Sequence, residues 1–255
     1  MRNLLYLLFG SCLLSSCTAE QAVEASFSAQ EIIDRAIEVA GGDLYERAKV
    51  DFEFRNRLYR SLRDGARYEL ERFTQDSSGI VTRDVLSNDG FLRFQEGEEL
   101  EVSDSMAIRY GNSVNSVHYF AQLPYGLNAP AVQKALLGED RIGGEAYYEI
   151  GITFQEEGGG TDFQDQFIYW VHQENFTVDY LAYNYETDGG GVRFREAYHP
   201  RIVEGIRFVD YRNFKPEPEE VGMDLTELDQ WFTDGRLKLL STIETEAVQV
   251  RILGE

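Results

Sequence analysis

Three histidines, His118, His172 and His199, lie far apart in the chain, and none belongs to an HxH or HExxH pair. A zinc site needs three or four nitrogen or sulfur ligands to converge, and this spacing offers no such set. Calcium would want regularly spaced oxygens. Asp162 and Asp165 in "GGGTDFQDQ" come nearest, and ordinary turn chemistry accounts for that composition. No metal and no cofactor is therefore expected. Nucleophilic hydrolysis fares no better, because no GxSxG elbow is present. Carboxylates abound, 45 acidic against 24 basic residues, so any one pair means little. A glycosidase pair is defined by a gap of about 5 or about 6.5–9.5 Å across a cleft, which sequence spacing does not supply. No catalytic residue emerges.

Binding chemistry has better candidates. "IYWVH" and "VDYLAYNY" place Trp170, Tyr180, Tyr183 and Tyr185 on neighbouring strands. Ile168 and Trp170 with Leu181, Tyr183 and Tyr185 would form an aromatic wall on a shared face; the alternative is an ordinary aromatic core. In "RFRE", Arg193 and Arg195 share one strand face, with Tyr211 and Asn213 in position to lie opposite. On a concave face the two guanidiniums would clamp a carboxylate or phosphate; on a convex face they would be solvated charges. The third group is "NSVNSVHYFAQLPYGLNAP" (112–130). There Val117, His118, Phe120 and Leu123 offer apolar surface and one titratable ring. A lone histidine in "VHYF" reads more readily as a helix cap or a partner for a strand carbonyl than as a catalyst.

The elements that must position these groups are legible from patterning. Ser28 and Glu31 form a capping box, an apolar stripe of Ile32, Ile33, Ala36, Ile37 and Ala40 follows, and Gly41-Gly42 ends the helix. Val50, Phe52, Phe54, Asn56 and Leu58 alternate with charged residues as one strand face. "DG" at 64–65 predicts a hairpin turn, and strands fit 79–87, 90–95 and 98–103. Helical spacing returns around Val117, Phe120 and Ala121 until "LPYGLN" breaks it. Asn128 then caps a predicted short helix with Val132, Ala135 and Leu136, stopped by Gly138. Six further strands run from Glu145 onward, with a short helix at "DLTELDQWF". Without a βαβ rhythm, the expected fold is mainly antiparallel β with a few helices. It is one strongly curved sheet or half-barrel under a helical lid, a two-sheet sandwich being the alternative.

The N-terminus carries an address. "MRNLLYLLFGSCLLSSC" joins a positive Arg2 to an apolar run too short for a span of roughly twenty residues, which reads as a secretory signal. "LSSC" resembles the bacterial lipobox, and that resemblance implies an acylated Cys17 as the first mature residue. The expected organisation is a signal peptide at 1–16, a lipid-anchored tether at 17–27 and one half-barrel domain at 28–255. The expected location is the bacterial cell envelope, at the outer membrane. The only cysteines are Cys12 and Cys17, so the domain has no internal disulfide or thiol nucleophile. A formal net charge of −21 repels nucleic-acid phosphate, and no nucleic-acid partner is expected.

Two resemblances follow from these residues. "EIIDRAIEVAGG", "YWVHQENFTVDYLAY" and "GIRFVDY" resemble LolA/LolB-type lipoprotein-sorting proteins. With "NSVHYFAQLPYGLN" and "GGGVRFREAY", the whole chain resembles an uncharacterised family of Bacteroidetes-type lipoproteins of unknown function. The first resemblance implies an unclosed half-barrel and a lid over an apolar cavity that binds lipid or acyl groups without a cofactor. The expected role is thus non-catalytic binding of a hydrophobic or amphipathic ligand, with the segments beside "LPYGLN" as lid. A secreted envelope hydrolase and a protein-docking module are the alternatives.

Overall fold

The computed structural model describes residues 27–161, 163–186, 189–217 and 223–254. The signal peptide, Cys17 and most of the tether lie outside the described residues, as does Asp162.

Helix α1 (Ala29–Ala40) forms as its sequence dictates. Ser28 and Glu31 close the capping box, and Gly41 terminates the helix at φ 140°, a conformation that favours glycine. Its stripe of Ile32, Ile33, Ala36 and Ala40 is buried. Six strands follow: β1 (Ala48–Phe54), β2 (Arg57–Asp64), β3 (Arg67–Gln75), β4 (Val81–Ser87), β5 (Gly90–Gln95) and β6 (Glu98–Leu100). The strand read through residue 58 in fact breaks into a hairpin. Arg55 and Asn56 both adopt positive φ, the signature of a two-residue turn matched to strand twist. Asn56 is therefore turn, and Leu58 pairs with Glu53 while Tyr59 pairs with Phe52, so Tyr59 rather than Leu58 faces the core.

Helix α2 (Asp104–Ala121) and a 3₁₀ turn (Tyr125–Asn128) come next. The helix expected from Asn128 to Gly138 is instead part of strand β7 (Val132–Ile142). Its ladder to β8 (Glu145–Phe154) runs from Val132↔Phe154 to Ile142↔Glu145, closed by Gly143 and Gly144 at positive φ. Cross-strand pairing over that length outweighs a weak local helical pattern. A bulge between Leu136 and Gly138 shifts the alternation that would otherwise have marked the strand. Then come β9 (Phe167–His172), β10 (Val178–Tyr185), β11 (Gly191–Val203), β12 (Ile206–Pro216), α3 (Leu228–Thr233), β13 (Leu237–Ile243) and β14 (Glu246–Ile252).

The fold is mainly antiparallel β with few helices, and it is not closed into a barrel. Hydrogen bonding groups the strands into two seven-stranded sheets, β14-β1-β2-β3-β4-β5-β6 and β13-β12-β11-β10-β9-β8-β7. Only Glu244 and Thr245 separate β13 from β14, so the chain turns a corner from one sheet into the other there. Asp210 fixes that corner, accepting from the Thr245 backbone N–H at 3.0 Å and from Arg201 at 3.0 Å. At the far end β6 and β7 are the free edges, and α2 is the segment that joins them. The main core fills the space between the sheets, with Phe52, Tyr59, Ile150, Tyr169, Phe208 and Tyr211 packed against Ile32, Ile33 and Leu127. Among the described residues no helix is long and apolar enough to cross a membrane.

A second cluster covers the opposite face of the second sheet. Trp170, Ile168, Ala182 and Phe194 pack there under Leu225 and Leu228. Glu149 is buried on this side, facing Asp140, Asp224 and Asp229, and burial followed by those charges pushes its carboxyl up to about 7. A carboxyl that binds its proton more tightly when folded stabilises the fold fully at pH below its unfolded value. That contribution is lost as pH rises through the folded value. Glu149→Gln is therefore expected to raise the melting temperature at pH 8 and to flatten its decline between pH 5 and 8, measured by circular dichroism.

Candidate functional site

Helix α2 has two working stripes. Gly111, Val114, Val117, His118 and Ala121 are buried, and the helix packs on β3, β4 and β5. Gly111 sits so close to Leu86 that an added Cβ would lie 3.4 Å from its Cδ1. Charge pins the same face: Arg72 donates to Asp84 at 2.6 Å and to Ser113 Oγ at 2.7 Å, while Arg93 also holds Asp84 and lies 3.5 Å over the Tyr110 ring. The second stripe, Asn112, Asn115, Ser116, Tyr119 and the adjoining Phe120 and Leu123, borders a cavity of about 500 Å³ opposite the second sheet.

The sheet supplies the other wall by strict alternation. Tyr169 lies opposite Leu181 and Tyr183 opposite Phe167, so these four share one face. The Phe167 and Tyr183 rings stack at 5.2 Å, and Phe167 stacks on Tyr169 at 6.0 Å. Buried Leu123, Tyr169 and Leu181 form the floor, while exposed Asn115, Ser116, Gly160 and Thr161 surround the mouth. Asn112 donates to Thr161, tying the helix to the loop after β8. Arg193 and Arg195 both line this cavity. Arg195 donates to the Tyr183 hydroxyl at 2.8 Å and stands 5.2 Å over the Phe120 ring, and its buried Nε has no hydrogen-bond partner among the described residues. Arg193 donates to the Tyr185 hydroxyl. The Tyr119 and Tyr169 hydroxyls meet at 3.2 Å, and burial pushes Tyr119 up to about 12. Both rings therefore stay neutral.

Of the residues singled out from sequence, Phe120, Leu123, Leu181, Tyr183, Tyr185, Arg193 and Arg195 converge on this cavity. Val117 points into the core instead. Trp170 stands on the other face of the sheet, hydrogen-bonded through Nε1 to Asp140 at 3.2 Å. Trp170 pairs with Tyr180, one residue out of phase with Leu181 and Tyr183, so the aromatic wall contains Phe167 and Tyr169 where Ile168 and Trp170 were expected. The aromatic cavity residues missed from sequence are Tyr119, Phe154, Phe167 and Tyr169, and only the phase of alternation would have identified the last two.

His118 lies beside a second cavity of about 460 Å³, which shares Asn115, Tyr119, Phe154 and Gly159 with the first. Its Nε2 is 3.0 Å from the Glu71 carbonyl oxygen, so Nε2 carries the proton and donates. Burial pushes the ring down to about 4, which leaves it neutral at physiological pH. His199 pairs with Asp210 at 2.9 Å, and His172 Nε2 is 3.6 Å from Glu145. Among the described residues no three histidines or carboxylates stand together as metal ligands. Among the described residues the first cavity presents an aromatic hollow with two guanidiniums, Arg193 and Arg195, and the carboxylate of Asp165.

An unclosed antiparallel β fold around an aromatic cavity is the class the fold and site define. The chain belongs to a protein family of unknown function, DUF6503, which matches residues 3–245. No curated protein matches it. Among solved structures it is similar to the LolA superfamily protein NE2245 from Nitrosomonas europaea, at 14% identity and a TM-score of 0.49, over 89% of this chain and 96% of that one. A DUF1329 family protein from Desulfovibrio piger is 11% identical, with a TM-score of 0.38, over 84% of this chain and 100% of its own. A putative outer membrane lipoprotein-sorting protein domain from Vibrio parahaemolyticus is 8% identical, with a TM-score of 0.38, over 79% and 99%.

Proposed function

We propose that this protein is a lipid-anchored lipoprotein of the bacterial outer membrane that binds an amphipathic acyl ligand without catalysis. The observation that carries this reading is the cavity between α2 and the second sheet. Its volume of about 500 Å³ lies in the range of about 300–1,000 Å³ common to small-molecule sites. Its floor of Leu123, Tyr169 and Leu181 offers apolar surface to a hydrocarbon chain, and removal of that chain from water supplies the affinity. Arg193 and Arg195 place donors beside the aromatic wall, suited to a polar group at one end of the ligand. Helix α2 and the 3₁₀ turn act as the lid, and Asn128 moors that turn to α1 by donating to Asp34 at 2.7 Å. The lipobox-like "LSSC" supports acylation at Cys17.

Calorimetric titration with monopalmitoylglycerol, a neutral single-chain probe, is expected to give saturable binding of one molecule per chain. Absence of binding would overturn the reading. In cells fed radiolabelled palmitate, label is expected on the wild-type protein and none on Cys17→Ser.

A further inference from the structure

The second cavity holds a cation without a counter-charge. Five other buried or half-buried arginines hold a carboxylate: Arg72 and Arg93 with Asp84, Arg60 and Arg83 with Glu71, Arg201 with Asp210. The side chain of Arg63, on β2, makes no ion pair and no hydrogen bond among the described residues, although the chain carries a formal charge of −21. Its Nε is a buried atom with no partner, and its guanidinium lies 4.8 Å over the Tyr125 ring. Taking a guanidinium out of water without a carboxylate is costly, and burial accordingly lowers its pKa. The carboxylate among the described lining residues, Glu46, is exposed and forms no bridge to it.

His118 lines the same cavity and adds the complementary half. Because Nε2 donates to the Glu71 carbonyl, Nδ1 is an acceptor, and it is buried with no partner among the described residues. The site thus presents a cationic fork of donors and one acceptor. A phosphate monoester matches both, with oxyanion lone pairs for Arg63 and, in its singly protonated form, one P–O–H for Nδ1. A carboxylate meets only the first.

We infer that this second cavity is a phosphate site, built on Arg63 and His118 and adjoining the acyl cavity, with which it shares Asn115, Tyr119, Phe154 and Gly159. The inference deepens the acyl-binding reading and rests on it for the ligand's tail. The phosphate itself comes either from a lipid headgroup or from a free phosphate.

Three probes separate the cases by calorimetry on the purified protein: palmitoyl lysophosphatidate, monopalmitoylglycerol and inorganic phosphate. Wild type is expected to bind the lysophosphatidate at least tenfold more tightly than the neutral probe. Arg63→Gln should abolish that preference while keeping neutral-probe affinity, and Arg63→Lys should restore part of it. Removing an uncompensated charge leaves the fold intact, which a melting curve checks. If inorganic phosphate binds in an Arg63-dependent manner while neither acyl probe binds, the phosphate site stands and the acyl reading falls. Equal affinity of wild type for the two acyl probes, no binding of any phosphate-bearing probe, or a preference that survives in Arg63→Gln, would overturn the inference.

Discussion

Phe120→Glu is expected to weaken binding of monopalmitoylglycerol by about a hundredfold or more, roughly 3 kcal/mol. Phe120 borders the acyl cavity, packs edge-on against Phe54 at 5.4 Å, and lies under the Arg195 guanidinium. A carboxylate there brings a charge and its water into the hydrocarbon path, and a buried charge or unpaired polar group costs several kcal/mol. It also captures Arg195, which stiffens the wall that the ligand must part. Phe120 is only half-buried, so folding should survive. Phe120→Leu, which keeps the apolar surface, should lose less than tenfold. Calorimetric titration of both variants, with melting curves alongside, checks the contrast.

Asp84→Ala is expected to be the most damaging single change to stability, at about 3–5 kcal/mol. Asp84 is 2% exposed and receives Arg72 at 2.6 Å and Arg93 at 2.6 Å. Deleting it strands two guanidiniums beneath α2, and it removes the charge that orients Arg72 toward Ser113 and Arg93 over Tyr110. For a domain of this size the melting temperature should fall on the order of 10 °C. Ser113→Ala, which removes a single hydrogen bond, should cost about 1 kcal/mol. Denaturant titration measures both, and a drop for Asp84→Ala no larger than that for Ser113→Ala would show that the network does not hold the helix.

Much of this arrangement was written locally in the sequence. The capping box of α1, the antiparallel strand punctuation and the helical spacing at Val117 and Ala121 all rest on contacts within a few residues. Tyr183, Arg193 and Arg195 were recoverable because the two-residue period of a strand puts Tyr183 in step with Tyr185 and Arg193 in step with Arg195. What was not legible depends on register and on tertiary pairing. The turn at Arg55-Asn56 lacks glycine, so the first hairpin read as one strand. The bulge near Gly138 disguised β7 as a helix. Trp170 and Tyr169 are adjacent, and a shift of one residue exchanges cavity for outer face, which no composition reveals. The phosphate site lay furthest from view, because Arg63 stands out only once Arg60, Arg72, Arg83 and Arg93 of the same sheet are each seen to hold a carboxylate.

The most direct test of the central claim is native mass spectrometry of Cys17→Ser protein recovered from a bacterial periplasm, compared with the same protein carrying Phe120→Glu. The first is expected to carry an added mass that dissociates on activation as a lipid, and the second to fly at its bare mass. Bare masses for both, with no lipid recovered by organic extraction of the first, would contradict it.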